Sequence, residues 1–179
     1  MWEMLKDILP SICTVVVAII SSRMVIISAN KSVDRQKADK LQNDLEDFYY
    51  PFLLLSMKTT QLYRALHQVN KEDCDSCLVY LLSGKKFDGN ALEIWKEIIA
   101  NNIKLNELII KYSTIINNKH LRDDLSNLST HYTMLELANA NFLIGNEDVL
   151  SEYTFPTKVI ENIEIEIDKI VENIRDLSK

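Results

Sequence analysis

The sequence predicts an all-α protein, with a single N-terminal transmembrane helix followed by an antiparallel cytoplasmic helical bundle. Three observations carry that expectation. Residues 8–29 form an apolar run, ILPSICTVVVAIISSRMVIISA, whose one charged residue is Arg23. The 179 residues include only 3 Gly and 3 Pro, which leaves little material for glycine-rich loops or β-turns. Beyond residue 40, apolar side chains recur at steps of three and four along several long stretches, the period of helices buried on one side.

At about 1.5 Å rise per residue, the apolar run matches a hydrocarbon core of about 30 Å, so residues 1–30 read as a transmembrane helix. A cleaved signal peptide would have a basic start, a shorter apolar centre and a small-x-small cleavage site. Here the chain opens WEMLKD, with Glu3 and Asp7 against Lys6, and no Ala-x-Ala follows. Lys31, Arg35, Lys37 and Lys40 come after the span and only Lys6 before it. Cytoplasmic flanks carry the excess of basic residues, so the N-terminus is expected outside and the body of the chain in the cytoplasm.

Within the span, Ser11, Thr14, Ala18, Ser21, Val25 and Ser28 alternate at steps of three and four and form one stripe down the helix. Small residues let two backbones approach closely, and hydroxyls can bond across the contact, which favours self-association in the bilayer. Ser and Thr can also be satisfied by their own preceding helical turn. Arg23 is costly at the centre of a span, but here it lies nearer the cytoplasmic end, where it can snorkel to the headgroups. Its other role would be to line a wet pore. Arg23 lies nearly opposite Ser21 on a helical wheel, so both cannot face the centre of one narrow bundle.

The formal charge is −6, and the residues beyond 30 keep all of it, because Lys6 and Arg23 offset Glu3 and Asp7. Such a chain has no global attraction for nucleic acid; an anion site would have to be a local cluster. The cysteines are Cys13 in the span and the pair Cys74 and Cys77. One Cys-x-x-Cys, even with His67 nearby, falls short of the four ligands of a closed zinc site, and no metal or other cofactor is expected.

Residues 31–50 read as a charged helical stalk, with Leu41, Leu45, Phe48 and Phe52 at helical spacing. Pro51 interrupts this pattern, so a kink or a restarted helix is expected near Tyr50. Residues 51–179 are the expected bundle. NKEDCDSC and SGKKFDGN are loop-like and bracket a short apolar segment at 78–82. Asn90 is a candidate N-cap for a helix with the seam Trp95, Ile98, Leu105, Ile109, Tyr112 and Ile116, interrupted by Asn102 and ended by Asn117 and Asn118. The next helix starts at about Lys119 with the seam Leu121, Leu125, Leu128, Tyr132, Leu135 and Phe142, and Gly145 as its expected cap. The last opens near Pro156 and carries Ile160, Ile163, Ile167, Ile170, Ile174 and Leu177.

Polar residues on these seams are candidates for pairing or binding. Asn102 and Asn139 can face each other and fix register. His120, at a helix start, and His131, at the core edge, can bind a phosphate or carboxylate when protonated, or be packed and hydrogen-bonded. No Ser, His and Asp order, no carboxylate cluster at metal spacing and no phosphate-cradling glycine loop is present, so no catalytic residue is assigned and an enzyme is not expected.

The N-terminal span, the charged stalk, LEDFYYPFLLL at residues 45–55, His120 with Leu121, His131, and Phe155 with Pro156 at the start of the last helix together resemble a large group of bacterial membrane-anchored helical proteins. In layout the chain resembles one branch of these, the membrane effectors of Hailong antiphage systems. That resemblance implies a homo-oligomeric, ligand-gated ion channel or membrane-disrupting protein in the bacterial inner membrane, acting by abortive infection. It implies a nucleotide or oligonucleotide ligand, made by a partner nucleotidyltransferase, that holds the channel closed. One span cannot make a pore, so several copies are required, with a tetramer as the working number. A single-stranded ligand would need phosphate contacts and stacking surfaces, for which Lys58, Tyr63, Arg64 and His67 lie at compatible spacings after Pro51. A different class of function is a single-pass anchor whose bundle recruits a protein partner.

Overall fold

The structure, a computed structural model, describes residues 2–70, 76–153 and 155–178; the side chains of residues 2–20, 26 and 27 lie outside the description. The described residues form an all-α chain. Its elements are α1 (Trp2–Asp44), a π-helical turn (Leu45–Tyr49), α2 (Tyr50–Val69), α3 (Cys77–Leu82), α4 (Gly89–Tyr112), α5 (Lys119–Asn139), the single turn α6 (Glu147–Leu150) and α7 (Val159–Leu177). They fall into two compact units, one of Met1–Asn43 with Ile170–Lys179, the other of Asp44–Lys169.

In the first unit, α1 runs for 43 residues and passes through positions 30 and 31 without interruption. Residues 21–25 and 28–30 are exposed, with Met24 and Val25 each 68% accessible. Among the described residues no helix is long and apolar enough to cross a membrane. Most of the apolar run, including Ser11, Thr14 and Ala18, lies where side chains are not described.

The second unit is built on an antiparallel arrangement that individual side-chain pairs make plain. Going up α2, Phe48 in the π turn meets Tyr112, Lys58 approaches Glu97 and Tyr63 meets Trp95, so α4 runs the opposite way. Trp95 bonds Asn139 while Asn106 bonds Ser129, which sets α5 antiparallel to α4. Asn118 bonds Glu166 and Asp124 bonds Asn162, which sets the first part of α7 antiparallel to α5.

The interruption expected at Pro51 takes the form of the π turn. Proline has no N–H to offer the carbonyl four residues back, and its ring crowds that carbonyl. Widening the preceding turn accommodates both, with the Tyr50 N–H donating to Leu45 O five residues back. Leu45, Phe48, Tyr49 and Phe52 are then all buried, while Tyr50 points outward. Burial pushes the Tyr49 hydroxyl up to about 12, with the Glu166 and Asp44 carboxylates adding to the effect.

The seams of α4, α5 and α7 are buried as their spacing predicts, from Trp95 to Ile109, from Leu121 to Leu135, and at Ile163, Ile167 and Ile170. Five local expectations are corrected. α4 ends at Tyr112, before Ile116 and the asparagine pair Asn117 and Asn118. Asp88, in extended conformation, stands at the N-cap of α4, and Asn90 lies inside the helix. α5 ends before Phe142: Asn141 adopts φ 63°, its N–H donates to Ala138 O, and the Phe142 N–H donates to Leu137 O. That is a Schellman closure with asparagine in the left-handed position, and it leaves Phe142 75% exposed. Gly145 serves a different contact, donating its N–H to Leu82 O at 2.9 Å with φ 82°. α7 starts at Val159, whose N–H closes a turn onto Pro156 O, so Pro156 precedes the helix.

Candidate functional site

Asn102 and Asn139 do not pair. Asn102 Nδ2 donates to the Tyr63 hydroxyl at 3.3 Å, and Asn139 Oδ1 accepts from Trp95 Nε1 at 2.7 Å. The first of these bonds leads from the α2 and α4 contact to a cavity of about 410 Å³.

Its walls come from four segments. α2 contributes Ser56, Thr59, Thr60, Tyr63 and His67, which follow one another at helical spacing along one face. The start of α3 contributes Ser76, Cys77 and Leu78; α5 contributes His131, Tyr132 and Leu135; the chain entering α7 contributes Phe155 and Ile160. Ser76 is held in place as the N-cap of α3, its Oγ accepting from the Val79 N–H at 3.5 Å. The start of α5 is fixed by Asn118, whose Oδ1 accepts from the N–H groups of His120 and Leu121 while its Nδ2 donates to Glu166.

The hydroxyls of Thr59 and Thr60 donate back to Leu55 O and Ser56 O, one turn earlier on their own helix. Ser56 is 5% exposed, and its Oγ has no hydrogen-bond partner. Asn101 Nδ2 and Asn102 Oδ1 are buried in the same state. An unsatisfied buried polar group costs about 1 to 3 kcal/mol, so each of these atoms weakens the core.

His131 is 6% exposed. Its Nδ1 lies 2.7 Å from Tyr153 O, and a carbonyl only accepts, so Nδ1 carries the proton. Burial lowers its pKa, with the bond to Tyr153 opposing part of that, and the ring is neutral near pH 7. Nε2 is then the ring's acceptor. Phe155 stands edge-on to the imidazole, 5.8 Å between centroids at 82°. Burial also raises the Tyr132 hydroxyl far above its ordinary range, with Tyr63 contributing, so it stays protonated and neutral.

The candidate ligand residues divide. Tyr63, His67 and His131 meet in this cavity. Arg64 and His120 are exposed and do not line it. Lys58 lies in a separate open groove with Pro51, Leu54, Lys104, Leu108 and Lys111, and its amine is 3.9 Å from Glu97. Sequence reasoning did not single out Ser56, Thr59 or Ser76. The available signal was that Ser56, Thr59 and Tyr63 continue the core-facing stripe begun by Phe52, polar residues where apolar ones would otherwise stand.

Cys74 lies outside the described residues and Cys77 is buried in the first turn of α3. The cavity joins hydroxyls, a neutral imidazole and aromatic rings to apolar walls, an arrangement suited to holding a small molecule. Compared with protein families, with curated proteins and with solved structures, the chain shows no match.

Proposed function

We propose that this chain is a homo-oligomeric membrane effector of bacterial antiphage defence, in which residues 1–30 span and associate within the inner membrane and the helical bundle senses a ligand. The observation that carries this reading is the apolar run at residues 8–29, set on a helix whose described residues 21–25 and 28–30 are exposed. Exposed apolar side chains such as Met24 and Val25 need a cover, and lipid or neighbouring copies supply it. The stripe through Ser21, Val25 and Ser28 gives copies a surface on which to meet. The resemblance in layout to the membrane effectors of Hailong antiphage systems supports the gating role, with a ligand made by a partner nucleotidyltransferase. In this reading the helical bundle senses that ligand, and the protein acts by opening the membrane, without covalent chemistry.

A second reading, an anchor that recruits a protein partner, has its own support. Phe142, Ile144 and Val149 stand exposed around α6 and would suit a docking contact.

The deciding measurement is the mass of the detergent-solubilised full-length protein, corrected for bound detergent, followed by ion flux in liposomes. A ring of four or more copies that passes ions, with loss of membrane potential and toxicity on overexpression, is the expected result. A monomer or dimer that leaves the potential intact overturns the channel and favours the anchor.

A further inference from the structure

We propose that the cavity between α2, α3 and α5 takes an uncharged, ring-sized molecule presenting one hydrogen-bond donor, which His131 Nε2 receives. This rests on reading the bundle as a ligand-binding domain; the cavity is a site apart from that of the nucleotidyltransferase product, which carries phosphate.

Size and charge give the first argument. About 410 Å³ lies within the range of small-molecule sites, and the walls supplied by Leu78, Leu135, Phe155 and Ile160 are apolar. Among the described lining residues there is no Lys, Arg, Asp or Glu. Among the described lining residues the only basic side chains are His67 and His131, so an anion held there would lose its hydration without meeting a Lys or Arg, a cost that grows as the local dielectric falls. Lys58 and Arg64, which would meet a phosphate, lie outside the cavity.

Hydrogen-bond polarity gives the second. The bond from His131 Nδ1–H to Tyr153 O fixes the tautomer of a neutral ring, so Nε2 accepts and does not donate. A carboxylate or phosphate oxygen also only accepts, and the two would be mismatched. A ligand N–H or O–H matches. Phe155, its ring nearly perpendicular to the imidazole, adds an aromatic surface to the same lining. The buried Ser56 Oγ, without a partner in the same wall, adds a second polar atom within the lining.

The test titrates the full-length chain in detergent with three probes: indole, indene, which has the same ring shape without the N–H, and benzoate, an anion of similar size. Thr60, exposed at the cavity wall, is replaced by tryptophan to fill the cavity, and micelles of the same detergent without protein correct for partition. The expected result is indole binding roughly fivefold tighter than indene, the worth of one hydrogen bond, with benzoate weakest and all binding lost in Thr60→Trp. His131→Phe should bring indole and indene level; if that variant unfolds, the probe comparison on the unaltered chain still decides. Benzoate binding more tightly than indole, equal binding of indole and indene, indole binding that persists in Thr60→Trp, or no binding to the folded chain overturns the proposal. Oligomer mass and ion flux on the same preparation separate the two readings: failed indole binding in an intact, conducting ring removes the ligand class alone.

Discussion

Trp95 donates its indole Nε1–H to Asn139 Oδ1 across 2.7 Å, joining the early part of α4 to the last residue of α5. Trp95 is 2% exposed, so without Asn139 its one polar atom loses a partner that solvent cannot easily replace. Asn139→Leu is expected to cost about 1 to 3 kcal/mol, read as a lower urea midpoint at unchanged slope. The same change made in a Trp95→Phe background should cost much less. A coupling below about 0.5 kcal/mol in that double-mutant cycle would show that the bond contributes little.

Helix faces were legible in the sequence, while helix ends and cross-helix partners were less so. Trp95, Ile98, Leu105, Leu125 and Ile163 are buried because a three-four spacing has only one face to offer. Asn118 caps α5 where the asparagine pair suggested a boundary. The other end of α5 was misread because glycine is the usual left-handed residue. Asn141 takes that position instead, and Gly145 uses its positive φ to reach Leu82 O. Pairing of Asn102 with Asn139 failed for a related reason: spacing gives the face of each helix but not the level at which two helices meet. In the site, Tyr63, His67 and His131 were recognisable by residue type, whereas the contribution of Ser56 and Thr59 depends on how α2 packs.

Ser56→Ala should be neutral or stabilising by up to about 1 kcal/mol. The serine hydroxyl is buried without a partner, so removing it relieves a desolvation cost and sacrifices no bond. Thermal unfolding of the variant beside the unaltered chain is the check. A clear loss of stability would mean that Oγ is satisfied in solution by something the protein holds there.

His131 predicts a fall in stability on mild acidification. Burial holds its folded pKa below the ordinary value, so the unfolded chain binds the proton more readily. The contribution is therefore complete above about pH 6.5 and is lost as pH falls from there toward the folded pKa, with a slope of at most about 1.4 kcal/mol per pH unit. His131→Asn puts an amide N–H at the place of Nδ1, so it can still donate to Tyr153 O and cannot titrate. Urea midpoints between about pH 6.5 and 5 should fall for the unaltered chain and flatten in that variant. Parallel curves would place the pH dependence on other groups.

The association surface within the membrane is tested by the paired substitution Ala18→Leu with Ser21→Leu. If the stripe holds copies together, two large side chains keep the backbones apart and remove the hydroxyl contact, and the detergent-corrected mass should fall to that of a monomer. Contacts of this kind are worth about 1 kcal/mol each and recur at every interface of a ring, so two lost per helix are enough to disperse it. Arg23 lies nearly opposite Ser21 on the helix and serves as the control. Arg23→Leu should leave the mass unchanged if that side chain reaches the headgroups outside the contact. An unchanged mass in the paired variant, with a reduced one in Arg23→Leu, would instead place the contact on the arginine face and remove the hydroxyl stripe from the account of assembly.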